Sequence, residues 1–435
     1  MTAPISAPVT PPMRTREIRA AARAGDGRAE AMLATFLQDL FAIAPGNVTI
    51  NRDQYSLNSL NGFFDTPDGA FFFKFHQEDG EETMSGEYYR ADILARAGLP
   101  VDMPVLSSTL PGEQILVYRR RSDPRFSDVL RALDMVADPA GIAAAARAEH
   151  VLSGHLMEVF ARTLHPITAQ DSAREPIHRL FHDRLVDLPS GHYPGGRLAA
   201  FYVGKRFAFP GAELDWPTLA TSRVRINGIL YRDTIGGLFD AARQRLEPTR
   251  LADAGGVVAH GDAHNANVWY VAGRDGPELR FFDPAFAGEH VPTLLAEVKS
   301  TFHNILAHPV WLYEPDEAQK RYAARVRHNG DIIDIETDFA PSPVRQALLA
   351  VKRDALWRPL LALLAAQGLL PDDWRRVIRL AAFLCPTLVM NLRAGAASHN
   401  PTSSAIAIAV AVMAGSEPEA GARDLMSDFL DAIAP

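Results

Sequence analysis

The chain of 435 residues has almost no cysteine: Cys385 stands alone, so no internal disulfide can form and no paired-cysteine zinc or redox motif is present. It lies in the apolar run LAAFLCPTLVM and reads as a small buried hydrophobe, in keeping with a reducing, cytoplasmic setting. Lysine is nearly as scarce. Among 44 basic residues the only lysines are Lys74, Lys205, Lys299, Lys320 and Lys352, so a position that keeps lysine against this arginine background is a position that needs a compact ammonium. Long hydrophobic runs are missing too: the longest, AIAIAVAVMA from Ala405 to Ala414, is about half of what a membrane span requires and reads as a core helix. An excess of positive charge is also absent. With 52 acidic residues the net charge is -8, which supplies no global field for nucleic acid or an anionic membrane, and neither is expected as a partner. The opening MTAPISAPVTPPM lacks a charged segment followed by an apolar one and reads as a disordered tail, residues 1–13, rather than a secretory signal.

What is present, 47% hydrophobic and 22% charged residues, describes a globular chain long enough for two to four domains. Residues 14–44 carry a helical stripe with Met32, Phe36 and Leu40 spaced by four. After Pro45 short β-prone runs follow, and GFFDT and AFFFKF, joined by the turn TPDG, predict a hairpin. Residues 86–97 predict an amphipathic helix stopped by Gly98 and Pro100, and QILVY a further strand. Residues 14–118 thus read as a small sheet with packed helix, and 119–435 as mainly helical apart from a β-prone island between Gly255 and Phe286.

That island carries the chemistry. HGDAHNAN predicts a polar loop holding Asp262 and Asn267, followed by a hairpin whose second strand delivers Asp283 in LRFFDP. A carboxylate to take the proton of an attacking hydroxyl, a neutral oxygen ligand and a second carboxylate for Mg²⁺ are the groups phosphoryl transfer requires. HGDAHNAN followed by FFDP resembles the catalytic loop and metal-binding aspartate of the aminoglycoside phosphotransferase and choline kinase group. The resemblance implies an α+β, two-lobed protein-kinase-like fold: a small antiparallel-sheet N-lobe with one key helix, and a large, mainly helical C-lobe. It further implies Mg²⁺, ATP or GTP as co-substrate, a small hydroxyl-bearing acceptor, Asp262 as catalytic base, and Asn267 and Asp283 as metal ligands.

The same resemblance asks for a strand lysine and a helix glutamate upstream. Lys74 alternates with Phe71, Phe73 and Phe75 in FFFKF and is the first lysine of the chain; a solvated strand lysine is the plainer alternative. Glu87 fits the glutamate that would orient it, with an ordinary first-turn helix residue as its alternative. Ser59, Asn61 and Gly62 occupy the place of a nucleotide-covering loop, though with one glycine, and Val117 to Arg119 that of the segment meeting the base. His165 and His260 read as structural. Two other functions compete: a metallohydrolase built on His260, Asp262 and His264, and a kinase-fold regulator that binds nucleotide without transferring it. The chain departs from the family pattern after Asp283, where Pro284 follows directly and Leu294 and Leu295 stand where a later aspartate would fall. Two charge runs, DIIDIETD and the arginines at 119–121 and 125, carry opposite signs and leave the acceptor open.

Overall fold

The computed structural model describes residues 14–51, 59–76, 90–108, 113–136, 138–419 and 421–435. The chain divides into two compact units, residues 1–92 with 101–122 and residues 93–100 with 123–435.

In the first unit, helices α1 (Arg14–Arg23) and α2 (Ala29–Phe41) precede strands β1 (Gly46–Ile50), β2 (Ser59–Thr66), β3 (Gly69–His76), β4 (Leu106–Ser108) and β5 (Ile115–Arg119). The strands form one antiparallel sheet in the order β1-β2-β3-β5-β4. Alternation in β3 sends Phe71, Phe73 and Phe75 into the core and leaves Phe72 and Lys74 on the opposite face. Leu33, Phe36 and Leu37 of α2 cover that core, with the Phe36 and Phe75 rings 5.8 Å apart. Burying each phenylalanine is worth about 1.5–3 kcal/mol, so this aromatic layer supplies much of the sheet's stability.

The predicted hairpin is present, with Asn61 opposite Lys74 and Thr66 opposite Gly69. The covering-loop expectation for Ser59, Asn61 and Gly62 is corrected: all three lie within β2. The Asn61 carbonyl accepts the Asn51 N–H at 2.8 Å, and a Cβ on Gly62 would sit 2.0 Å from the Thr49 carbonyl oxygen, so this glycine serves close strand approach. Residues 52–58 lie outside the described residues, as do residues 86–89 of the predicted 86–97 helix; of the remainder, Ala91–Arg96 is helical. Val117, which opens the segment expected to meet the base, lies within β5. It is fully buried between β3 and β4, and its carbonyl accepts the Val105 N–H at 2.8 Å. The arginines here also make contacts within the unit: Arg121 forks onto Asp102 at 2.5 and 2.6 Å, Arg120 lies over the Phe63 ring, and Arg119 lies over Phe71.

The second unit is mainly helical with small sheets, which makes the whole chain α+β. Its long helix Pro139–Thr163 starts at Asp138, whose carboxylate caps the N–H groups of Ala140 and Gly141. The apolar run sits in the buried helix Pro401–Gly415, opened by a capping box between Asn400 and Ser403 with Pro401 in the first turn. It packs on the helix Trp374–Val389, which carries buried Cys385, whose thiol burial pushes up to about 12. Among the described residues no helix is long and apolar enough to cross a membrane. The acidic run forms strand Ile332–Thr337 in a four-stranded sheet, where Asp334 pairs with Arg225 at 3.1 Å and Glu336 faces Arg327 at 3.6 Å. Two of its four acids are thus paired with neighbouring strands.

Candidate active site

The residues of HGDAHNAN lie between the strand Gly256–Ala259 and the hairpin Val268–Ala272 with Pro277–Phe281. The turn needs Gly261, with φ of +75° and a would-be Cβ 2.5 Å from the Phe286 carbonyl oxygen. His260 is fully buried and props the turn: its Nδ1 accepts the Asp262 N–H at 3.3 Å, which places the proton on Nε2 for donation to the Phe282 carbonyl at 3.0 Å. Burial holds this imidazole below its ordinary value and therefore neutral near pH 7. Both ring nitrogens are used on protein, so the His260–Asp262–His264 set lacks a complete array of free ligands for a transition metal. Among the described residues no group of three or more His, Cys, Asp or Glu side chains is arranged to hold a metal.

Asn267 ties the loop to the acid that precedes it. Its amide nitrogen donates to the Asp262 carbonyl at 2.9 Å, its own carbonyl accepts the Phe282 N–H at 3.0 Å, and Phe282 is fixed by stacking on Trp269 at 4.3 Å. These bonds bring Asp262, Asn267 and the strand end bearing Asp283 into one locality. Asp283 is half-buried and takes the left-handed conformation, φ 55°, an uncommon backbone state for a non-glycine residue that aspartate tolerates better than most. The negative charges of Asp262 and Asp283 both act on the rings of His260 and His264. Asn267, its amide nitrogen engaged, brings an amide oxygen to this locality, and Asp283 brings a carboxylate. This hard-oxygen donor set suits Mg²⁺ and not a thiophilic metal.

The most informative contact was not legible in any motif. Lys299 Nζ lies 2.8 Å from Asp262 Oδ1, with both side chains nearly sealed from solvent. Burial alone would push the Asp262 carboxyl up, but the Lys299 ammonium outweighs it and holds the group below its ordinary value, so Asp262 is ionised at neutral pH. His264 Nε2 is 3.9 Å from Asp262 Oδ2, and burial lowers that histidine to about 4, which leaves it uncharged. Its ring faces His303, whose Nε2 is 3.2 Å from the Tyr313 hydroxyl. The signal for Lys299 was its rarity: it stood in the same short lysine inventory that singled out Lys74.

Lys74, Ser59, Asn61, Gly62, Val117 and Arg119 belong to the first unit. Glu87 lies outside the described residues. His165 is structural, bonded through Nε2 to His290 Nδ1 at 2.9 Å. Of the later acids, Glu297 is buried against Lys352 at 3.1 Å and Glu289 is exposed beside Arg96 at 3.7 Å.

No family model and no curated protein matches the chain. Among solved structures it is similar to an ethanolamine kinase of Plasmodium vivax, with 9% identity over 94% of this chain and 95% of that one and a TM-score of 0.42. It is also similar to a spectinomycin phosphotransferase in complex with ADP and spectinomycin, with 12% identity over 88% and 98% of the two chains and a TM-score of 0.34. A macrolide 2'-phosphotransferase from Brachybacterium faecium gives 11% identity over 87% and 97% and a TM-score of 0.34. The α+β architecture, small and largely antiparallel sheets with a large helical region, is the one the two-lobed kinase-like expectation called for. What the site can do is read from its own residues.

Proposed function

We propose that the chain is a small-molecule kinase that passes the γ-phosphoryl group of ATP or GTP to a hydroxyl of its acceptor. The observation that carries this reading is the joined set of an ionised, buried Asp262, an Asn267 whose amide nitrogen is spent on the Asp262 backbone, and Asp283 held with positive φ at the strand end. In the reaction, Asp262 accepts the proton of the acceptor hydroxyl as its oxygen bonds to the γ-phosphorus and the bond to the β,γ-bridging oxygen breaks, releasing the nucleoside diphosphate. Asn267 and Asp283 would hold Mg²⁺, which when bound neutralises charge on the nucleotide phosphates. His260 keeps the loop in register and carries no proton in the chemistry. Lys74 would grip the phosphates with Glu87 to orient it, and Arg119, at the end of β5, remains the candidate for the base-side segment.

The test is a magnesium-dependent screen for nucleoside diphosphate release over hydroxyl compounds, with sugars, amino alcohols, nucleosides and antibiotics in separate arms. Release with at least one acceptor, lost on chelation of magnesium, supports the reading. Nucleotide binding with no release in any arm would favour the non-transferring regulator.

A further inference from the structure

Asp262 has one oxygen sealed and one available. Oδ1 is cut off from solvent and faces the Lys299 ammonium at 2.8 Å, whereas Oδ2 makes no hydrogen bond among the described residues, with His264 Nε2 standing off at 3.9 Å. Lys299 opens a π-helical turn, Lys299–His303, a rare geometry that is frequent at functional sites. The turn is anchored on every side by buried polar contacts. Lys352 Nζ bridges Glu149 Oε1 at 2.9 Å and Glu297 Oε2 at 3.1 Å, Ser300 donates to the Glu297 carboxylate, and Trp357 Nε1 donates to Thr301 Oγ1 at 2.8 Å. Glu149 comes from the helix Pro139–Thr163 and Lys352 from the end of Pro343–Lys352, so two separate helices fix the turn that presents Lys299. All three charged side chains of the network are at least nine-tenths buried, as is Lys299.

We propose that Lys299 is the positioning residue for Asp262: its ammonium, held by the Glu149–Lys352–Glu297 network, clamps Oδ1 and fixes Oδ2 as the oxygen that takes the acceptor proton. The proposal rests on the phosphotransfer reading and adds to it a residue and an atom. A plain core lysine would be expected to avoid such a site, because an ammonium is costly to bury unless it is paired. Here the partner is the reacting carboxylate itself. The role is to hold, not to touch substrate: loss of Lys299 lets the carboxylate turn between rotamers and misplaces the base, while nucleotide and acceptor still bind.

The experiment compares wild type, Lys299→Met, Lys299→Ala and Lys299→Arg under saturating magnesium and nucleotide. Nucleotide affinity by calorimetry serves as the check on folding. Lys299→Met is expected to lower kcat by about 10–100-fold with both KM values nearly unchanged, the cost of a base misplaced by about 1 Å. Lys299→Arg is expected to retain more activity than Lys299→Met. For Lys299→Ala, added ethylamine should restore turnover in proportion to its concentration and ethanol should not, a response that a merely structural lysine would not give. Transfer by wild type with kcat of Lys299→Met within about threefold, or turnover of Lys299→Ala that ethylamine does not raise, overturns the inference while leaving the function standing. Absence of transfer by wild type with every acceptor overturns the function and this inference with it.

Discussion

Replacing Lys352 by methionine should destabilise the second unit by an amount that depends on pH in a defined direction. In the wild type one ammonium serves two carboxylates, Glu149 and Glu297, at 2.9 and 3.1 Å, and burial of all three is nearly complete. The Lys352 ammonium is held well above its ordinary value: burial pulls it down, but the two acids outweigh it, so the network is intact across the neutral range. Methionine fills the same volume and leaves two buried carboxylates around one vacated centre, so at least one must take a proton. A carboxyl with a raised folded-state value is at no disadvantage below its unfolded value near 4.3, and costs about 1.4 kcal/mol for each pH unit above it until the folded value is reached. The penalty is therefore about 1.5 kcal/mol at pH 5.5 and rises to about 5 kcal/mol at pH 8. Removal of one partner from a buried pair, about 3–5 kcal/mol, gives the same scale independently. Urea melts of wild type and Lys352→Met at both pH values read the difference directly, and replacing both acids by glutamine alongside Lys352→Met should recover most of it. A loss below about 1 kcal/mol at pH 8, or an equal loss at both pH values, would refute the reasoning.

Three further outcomes are expected. Asp283→Ala should weaken binding of the magnesium–nucleotide complex, measured by calorimetry, while leaving metal-free nucleotide affinity close to wild type. Gly62→Ala should cost at least about 1–3 kcal/mol in thermal or urea unfolding of the first unit, because the new methyl would meet the Thr49 carbonyl at 2.0 Å and the Phe73 ring at 2.8 Å. Asp134 is buried; desolvation raises its carboxyl, but hydrogen bonds from His308 and Arg345 prevail and hold it well below its ordinary 3.8. Its contribution is present above pH 3.8 and lost as pH falls beneath it, so the acid limb of stability should be shallower in Asp134→Asn than in wild type when followed by circular dichroism.

Much of the site was legible because the chemistry is local. Asp262, Asn267 and Asp283 lie within a short stretch whose loop and hairpin are announced by residue type, and the alternation in FFFKF places Lys74 opposite the buried phenylalanines. The misplaced loop at 59–62 has an equally local cause. Ser59, Asn61 and Gly62 have poor strand propensity, and only pairing with β3 and the approach of Thr49 make them strand. What could not be read was whatever depends on distant pairing. Lys299 meets Asp262 through the fold, and Lys352 joins Glu149 to Glu297 from three separate segments. The charge runs were left open for the same reason: the pairing of Asp334 with Arg225 and of Arg121 with Asp102 is set by the fold.

The most direct measurement is the product formed from an acceptor by wild type and by Asp262→Asn, identified by mass at saturating magnesium and nucleotide. Asparagine preserves the side-chain shape but cannot take the proton. The account predicts a phosphorylated acceptor from wild type and at least about a 100-fold lower rate from Asp262→Asn, with nucleotide binding retained. Undiminished transfer by Asp262→Asn would contradict it.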